Sequence, residues 1–243
     1  MQSNLNQLIS EEAVQDRLPN GITQQDSIDW LRGQMDEYRK LMSYYNCAMM
    51  EITTKFNVLN EEFSLQHDRN PIESVKSRLK SFYSIQSKLE RGGFELSTAS
   101  IEQNLNDVAG VRVICSFLDD VYMLAEALLM QDDITLIARK DYITHPKANG
   151  YRSLHLIVAV PIFLAREKRM MRVEIQLRTI AMDFWASLEH QMKYKKEVPM
   201  SQSLARELGD CADVSALLDQ RMNEIRKRLE KESRIGNNER PSV

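Results

Sequence analysis

The sequence predicts an α+β domain of mixed α/β character, in which helices cover a small mixed β-sheet, placed between two long terminal helices. Short segments rich in β-branched residues, which are typical of strands, occur in the middle of the chain between residues 110 and 179. Towards both ends, apolar residues recur at alternating steps of three and four, which is typical of helices. The chain has no internal repeat and no low-complexity tract, so a repeat architecture is excluded.

The composition is that of an ordinary soluble globular protein, with 43% apolar and 28% charged residues. The net charge of −3 argues against bulk electrostatic binding to a membrane or to nucleic acid. RNA binding is possible but has no support from charge, and an anionic ligand would need a local cluster of cations. Residues 1–25 lack the apolar core of a signal peptide, and no segment has the length of a membrane span. The cysteines, at positions 47, 115 and 211, lack zinc or redox spacing, which favours a cytoplasmic location.

The N-terminal part is predicted to be a flexible leader over residues 1–25, followed by a long helix over residues 26–68, with Asp26 or Ser27 as its N-cap. Apolar residues mark one face of this helix over about five heptads. This N-terminal seam consists of Ile28, Leu31, Met35, Tyr38, Met42, Tyr45, Met49, Ile52, Phe56, Leu59 and Phe63. Such a seam predicts packing along another helix at a shallow angle.

A second helical region is predicted over residues 197–233, with a flexible tail over residues 234–243. Its C-terminal seam consists of Leu204, Leu208, Cys211, Val214 or Ser215, Leu218, Met222, Ile225 and Leu229. The matched seams have two interpretations, an intramolecular helical layer or an interface between copies of the chain. The sequence does not distinguish them, because packing within a chain and packing between chains have the same pattern.

Between these regions, residues 69–196 form the predicted core domain, which begins with a helix over 71–91 that Gly92-Gly93 ends. One face of this helix is expected to carry Arg78, Lys80, Ser81, Ser84 and Lys88. Cations and hydroxyls on one face suit a polyphosphate, since each group can meet a different phosphate oxygen. The alternative is a solvated basic face, which is what most runs of charge are.

Further strands are predicted over residues 110–117, 134–143, 151–160 and 171–179, and helices over 119–130 and 180–195. Alternation within three of the strands directs polar side chains to one face of the sheet, while apolar residues face the core. These polar residues are Arg112 in the first strand, Tyr151, Ser153 and His155 in the third, and Glu174, Gln176 and Arg178 in the last. The mixture is typical of the floor of a cleft, although an ordinary solvated sheet face is the alternative.

Two loops add candidates to this face. Asn149-Gly150 predicts a tight turn that projects Lys147 and Asn149 beside Tyr151, whose ring is suited either to stacking on a base or to the core. Asp107 lies at a helix-to-strand junction. If Asp107 and Glu174 meet in space, they can hold Mg²⁺, which takes one or two carboxylates and leaves room for substrate phosphates.

These residues fall in motifs that resemble the RelA/SpoT synthetase domain. The motifs are R-x-K-S-x-x-S-I-x-x-K, D-x-x-G-x-R, H-P-K-x-N-G-Y-R-S-L-H, V-E-I-Q-L-R-T and D-F-W-A-x-x-E-H, in family order over about residues 70–196. With only short helical flanks, the chain looks like a stand-alone small alarmone synthetase of bacteria. That resemblance implies transfer of the β,γ-diphosphate of ATP to the 3′-hydroxyl of GDP or GTP, giving (p)ppGpp and AMP, and a homotetramer.

The resemblance also implies roles for the matching residues. Arg78 and Arg112 resemble the pair that sandwiches adenine, and the phosphates of ATP are assigned to Lys80, Ser84 and Lys88, with Arg91 as an addition. Asp107 and Glu174 resemble the Mg²⁺ ligands, and Glu174 is also the candidate base, so that Glu174, Asp107 and Lys80 are the catalytic candidates. On the GDP/GTP side the candidates are Lys147, Asn149, Tyr151, His155 and Gln176, with Ser153 either a ligand or a spacer.

Alternative functions come from other classes. A toxin-type relative would use the same donor chemistry on the 3′ end of tRNA or on an adenine nucleotide. A non-catalytic regulator would bind nucleotide or RNA through the basic segment, but the intact Asp107/Glu174 pair disfavours it. His67-Asp68 is the one dipeptide of the type that hydrolase domains of the family use, and it lacks the other ligands, so no hydrolase activity is expected.

Overall fold

The computed structural model describes residues 24–67, 69–194 and 201–238. The predicted leader lies outside the described residues except at its last positions, and so do Asp68 of the His-Asp dipeptide and the last residues of the predicted tail. The chain divides into two compact units, and the boundary between them lies between Ser43 and Tyr44. The described part of the first unit is the N-terminal portion of a long helix, and the second unit contains the sheet.

The second unit is a five-stranded mixed sheet with helices, so the predicted fold class is confirmed. The strand order is β1-β2-β5-β4-β3, with β2 and β5 parallel and the other neighbours antiparallel. The strands are β1 (Ile72–Leu79), β2 (Ala109–Cys115), β3 (Thr135–Asp141), β4 (Leu154–Phe163) and β5 (Lys168–Thr179). The helices are α1 (Gln24–His67), α2 (Phe82–Gly92), α3 (Thr98–Asn104), α4 (Leu118–Leu129), α5 (Ile180–Tyr194) and α6 (Gln202–Asn238).

One face of the sheet is apolar and forms the core. Val113, Leu177 and Leu154 are paired across three neighbouring strands, and none of the three side chains is exposed. Alternation along the strands then turns the polar residues between them to the opposite face. The predicted N-terminal seam is buried at Tyr45, Met49, Ile52, Phe56 and Leu59 of α1.

The prediction of one helix over residues 71–91 is wrong for the first half of that segment. Residues Ile72–Leu79 form strand β1 at the edge of the sheet, and α2 begins only at Phe82. Arg78 therefore lies on a strand, and Ser81 is the N-cap of α2 instead of a member of its face. The predicted end is confirmed, because Gly93 caps α2 with φ of 70°, a left-handed conformation that glycine adopts at little cost.

The C-terminal helix α6 buries a face different from the predicted C-terminal seam. Its buried residues are Ala212, Asp219 and Asn223, whereas Leu218 and Met222 of the seam are 57% and 49% exposed. Polar contacts hold this face down: the Trp185 indole donates to the Leu208 carbonyl at 2.9 Å, and Arg226 binds Asp119 at 2.6 Å. Helix α6 packs against α4 and α5, and the intramolecular interpretation is not supported for its apolar seam.

Asp219 carries a stability cost that one substitution is expected to remove. Burial raises the pKa of Asp219, whose Oδ2 accepts a hydrogen bond from the Thr179 hydroxyl at 2.6 Å. The folded state thus binds a proton more tightly than the unfolded state, so this group lowers stability as pH rises above its ordinary pKa of 3.8. Asp219→Asn keeps the acceptor without the charge, and a higher melting temperature at pH 7 is expected, by about 2–4 °C for each kcal/mol regained.

Thermal unfolding of both proteins at pH 7 and below pH 3.8 checks this prediction. The gain should disappear at the lower pH, where the carboxyl is protonated in both states. A variant that melts lower than the original at pH 7 would contradict it.

None of the described helices combines the length and the apolarity that crossing a bilayer requires.

Candidate active site

Strand register brings the polar candidates together in two rows across the sheet. The first row runs through Lys76, Arg112, Gln176 and His155, which are successive partners on β1, β2, β5 and β4. The second row runs through Arg78, Gly110 and Glu174. All of these row residues except His155 line a cleft of about 110 Å³, together with Asp107 and further neighbours. The rows therefore bring together candidates that the sequence separates by almost 100 positions.

The turn from β1 into α2 builds a cationic corner beside this cleft. The Lys80 N–H donates to the Val108 carbonyl at 2.8 Å, which holds the turn against the segment before β2. The Ser81 side chain accepts from the Ser84 N–H at 3.3 Å and donates to the Ser84 hydroxyl at 2.9 Å. Lys80 and Ser84 thus flank the N-terminus of α2, where unpaired peptide N–H groups favour an anion.

Asp107 is the centre of this corner. The Lys80 ammonium lies 2.8 Å from one carboxylate oxygen and the Lys88 ammonium lies 2.8 Å from the other. Burial acts to raise the pKa of Asp107, but the hydrogen bonds and charges of the two lysines outweigh it and lower the pKa below its ordinary value. Asp107 is therefore ionised at neutral pH, and it holds the two lysines together.

Glu174 is the second carboxylate of the cleft. Its two oxygens contact His155 Nδ1 at 3.1 Å and the amide of Gln176 at 3.1 Å. Burial acts to raise the pKa of Glu174, yet the hydrogen bond and charge of His155, assisted by Gln176, lower it overall. The negative charge of Asp107 acts to raise the pKa of Glu174, which indicates that the two carboxylates lie near enough to repel each other.

Tyr151 forms the other side of the site. Its hydroxyl lies 2.8 Å from His155 Nε2 and accepts from Arg178 at 2.7 Å, while the Lys147 ammonium lies 4.8 Å from the centre of its ring. The preceding turn closes with the Gly150 N–H donating to the Lys147 carbonyl, and φ of 87° at Gly150 explains the glycine. Asn149 accepts from the Tyr151 N–H and donates to Glu189 at 3.0 Å.

Some predicted positions differ from their expected geometry. Tyr151 and Ser153 precede β4, which starts at Leu154, so only His155 of that group lies on the strand. Ser153 is fully buried and its hydroxyl donates to the Leu177 carbonyl at 3.1 Å. Arg91 lies in the last turn of α2, where its Nε donates to the Ser87 carbonyl.

Arg178 and Asp183 were given no role by the sequence. Arg178 continues the alternation of Glu174 and Gln176 on β5, which was a usable signal, and Asp183 lies in the first turn of α5. Asp183 Oδ1 accepts from Arg178 at 3.1 Å and from Arg112 at 3.3 Å. Lys76, another omitted residue, lies on the edge strand beside Arg112, and an edge strand was not expected there.

The carboxylates fit a magnesium ion. Among the described residues no group of three or more histidine, cysteine, aspartate or glutamate side chains is arranged for a metal. Asp107 and Glu174 nevertheless line the same cleft and are both held ionised. Mg²⁺ is commonly bound through one or two carboxylates together with substrate phosphates and water, so this donor set suits it.

Comparison with known proteins gives consistent matches. Residues 77–198 match the family described as "Region found in RelA / SpoT proteins". The GTP pyrophosphokinase YwaC of Bacillus subtilis is 42% identical over 203 residues, which are 84% of this chain and 97% of that protein. The GTP pyrophosphokinase YjbM of the same organism is 33% identical over 190 residues, covering 78% of this chain and 89% of that protein.

Solved structures give the same picture. The small alarmone synthetase 2 of Bacillus subtilis has a TM-score of 0.72 at 42% identity, covering 79% of this chain and 99% of that one. The small alarmone synthetase 1 of that organism, bound to its product pppGpp, has a TM-score of 0.72 at 33% identity, covering 79% and 97%. A structure of the same enzyme bound to AMPCPP has a TM-score of 0.68 at 30% identity, covering 81% and 99%.

Proposed function

The chain belongs to the RelA/SpoT family, and on that premise we propose that it transfers the β,γ-diphosphate of ATP to the 3′-hydroxyl of GDP or GTP, giving (p)ppGpp and AMP. One observation carries this proposal. A single cleft combines a lysine-clamped carboxylate, Asp107, with a histidine-bound carboxylate, Glu174, and it is also lined by two arginines, one exposed and one half-buried. Such a cleft has both the cations that polyphosphates need and a carboxylate able to accept a proton.

The donor is assigned to the β1–α2 corner. Arg78 and Arg112 line the cleft from neighbouring strands, and flat guanidinium groups are suited to stacking on a purine. Lys80, Ser84 and Lys88 are assigned to the phosphates, because the two ammonium groups meet at Asp107 and the hydroxyl lies in the first turn of α2. Arg91, which faces its own helix turn, is the least supported member of this set.

The acceptor is assigned to the side of Tyr151. The ring of Tyr151 is proposed to stack on guanine, with Lys147 beside it as a cation for the acceptor phosphates. His155 and Gln176 bind Glu174, so they orient its carboxylate towards the place where the two nucleotides meet. Asn149 fixes the turn through its bond to the Tyr151 N–H, and Ser153 supports the strand.

The transfer step forms a bond between the 3′-oxygen and the β-phosphorus, and it breaks the bond between that phosphorus and the oxygen that leaves with AMP. Glu174 accepts the proton of the 3′-hydroxyl, since it is ionised at neutral pH. Lys80 and Lys88 neutralise charge on the diphosphate as it moves. Asp107 and Glu174 are the proposed ligands of Mg²⁺, which would supply further neutralisation of phosphate charge when bound.

A direct assay tests this function. Purified protein is incubated with labelled ATP and Mg²⁺, and GDP, GTP, ADP and tRNA are offered separately as acceptors. Labelled (p)ppGpp is expected with GDP and GTP. Product with ADP or tRNA alone would overturn the proposal in favour of a toxin-type acceptor.

A homotetramer is proposed from the exposed apolar faces of α5 and α6. On α5, Phe184 and Leu188 are 63% and 41% exposed, and on α6 the seam residues Leu204, Leu218 and Met222 are exposed although they are apolar. Contiguous apolar surface of this kind marks interaction sites, and a second copy of the chain is the partner that the family resemblance implies.

The three cysteines are free, which agrees with the proposed cytoplasmic location.

Leu218→Asp is expected to dissociate the oligomer without unfolding the chain. Leu218 is 57% exposed in the single chain, so a charge there costs little in folding but is buried unpaired when copies associate. Light scattering after size exclusion should show a smaller assembly, with helical circular dichroism retained. Gln220→Asp, an exposed change on the same helix, is the control and should keep the original mass. A native protein that is monomeric and active at micromolar concentration would contradict the prediction.

A further inference from the structure

The Arg178 side chain donates hydrogen bonds to three residues of the site, although the proposed transfer step gives Arg178 itself no role. Its side chain is only 5% exposed. It donates to the Tyr151 hydroxyl at 2.7 Å, to Asp183 Oδ1 at 3.1 Å and to Gln176 Oε1 at 3.2 Å. Its guanidinium carbon also lies 5.1 Å from the centre of the Tyr151 ring. A buried cation that is itself held by Asp183 and Gln176 fixes the position of the Tyr151 hydroxyl, because moving the ring away would break a hydrogen bond to a charged donor.

Asp183 connects this group to the other side of the cleft. The oxygen that accepts from Arg178 also accepts from Arg112 at 3.3 Å. Two guanidinium groups in such proximity repel each other, and the charge of Arg178 contributes, after burial, to lowering the pKa of Arg112. The carboxylate between them offsets that repulsion and holds both side chains in one place.

We propose that Asp183 and Arg178 are positioning residues that fix Arg112, on the donor side, relative to Tyr151, on the acceptor side. The proposal rests on the proposed function, which assigns the two purines to those residues. In-line transfer depends on holding two separate nucleotides in register, and a misplacement of about 1 Å is costly. The continuous chain of contacts Arg112–Asp183–Arg178–Tyr151 sets that register through the protein's own side chains.

A double-mutant cycle tests the acceptor half. Tyr151→Phe keeps the ring but removes the hydroxyl that Arg178 holds, and Arg178→Met removes the cation while keeping much of the side-chain volume. Each single change is expected to weaken GDP binding about tenfold, as loss of a hydrogen bond to a charged group does. The double variant should be no weaker than Arg178→Met within about twofold, because both changes remove the same contact. Independent effects, which would multiply to about a hundredfold, would overturn the proposal.

Asp183→Asn tests the connection between the two sides. It is expected to weaken binding both of GDP and of a non-hydrolysable ATP analogue by at least about threefold, whereas Tyr151→Phe should weaken GDP alone. Asp183→Glu, which keeps the charge, should recover part of the loss. Arg139→Met removes an arginine whose partner is Glu126, away from the cleft, and serves as the control. Calorimetric titration measures each affinity, and thermal unfolding verifies that each variant is folded.

A merely structural role predicts a different result. In that case Asp183→Asn and Arg178→Met lower the melting temperature while the folded proteins bind both nucleotides normally, and that outcome overturns the proposal. If Arg178→Met does not fold, the contrast between Asp183→Asn and Tyr151→Phe decides. Absence of any binding of guanine nucleotide by the original protein would instead count against the proposed function, so the two failures are distinguishable.

Discussion

Glu174→Gln is expected to reduce turnover by at least about 10²-fold while the protein remains folded. The substitution preserves the shape of the side chain but removes the charge that is proposed both to accept the proton of the acceptor hydroxyl and to bind Mg²⁺. Glu174 lies between the residues proposed for the donor and those proposed for the acceptor, and its bonds to His155 and Gln176 keep its carboxylate in the cleft. Loss of the charge therefore removes the chemistry without removing the site.

Initial rates of (p)ppGpp formation measure this effect, and calorimetric titration shows whether GDP still binds. Glu73→Gln, an exposed change on strand β1, is the matched control and should leave the rate unchanged. Because the pKa of Glu174 is lowered, its protonation should not reduce turnover above its ordinary value of 4.5. Near-normal turnover in a folded Glu174→Gln protein would show that the role assigned to this residue is wrong.

Tyr151→Ala is expected to weaken binding of the acceptor nucleotide, whereas Arg78→Ala is expected to weaken binding of the donor. Loss of base stacking costs about 1–3 kcal/mol, so Tyr151→Ala should weaken GDP binding roughly ten- to a hundredfold and spare the ATP analogue. Arg78→Ala should do the reverse. Arg78 lies on edge strand β1 and no ion pair holds it among the described residues, so its removal should not disturb the fold.

Titration of each variant with GDP and with a non-hydrolysable ATP analogue measures both halves. Phe163→Ala removes an exposed ring at the end of β4, and both affinities should remain unchanged. Equal weakening of both nucleotides by Tyr151→Ala would mean that the donor and acceptor sides are assigned wrongly.

The sheet face of the site was predictable because its signal is local. Alternation places Glu174, Gln176 and Arg178 on one side of β5 whatever the rest of the chain does. The same holds for the turn at Gly150 and the helix end at Gly93, where positive φ values explain the glycines. Their roles, however, came from the family resemblance, because alternation identifies a face and not a ligand.

Strand β1 was missed for a physical reason. Its apolar residues Ile72, Val75 and Leu79 are spaced by three and four, which imitates the helical period. An irregularity between Ile72 and Ser74 shifts the register against β2 and breaks the alternation that would have identified a strand. The buried face of α6 was not predicted because Asp219 and Asn223 are polar, and polar residues are usually expected to be exposed. Their burial depends on partners such as Thr179 that are distant in sequence.

Gly110 lies on the floor of the cleft, where the backbone itself does not require a glycine. It lies between Arg78 and Glu174 in the second row, and its backbone does not have positive φ. An added Cβ would meet only the Arg78 backbone oxygen at 3.8 Å and its Cγ at 3.9 Å, which are ordinary contacts. The backbone would thus accept alanine, and the missing side chain leaves empty space on the floor of the cleft. A methyl group there would occupy volume that the proposed function assigns to substrate, so activity is expected to be more sensitive than stability to a side chain at position 110.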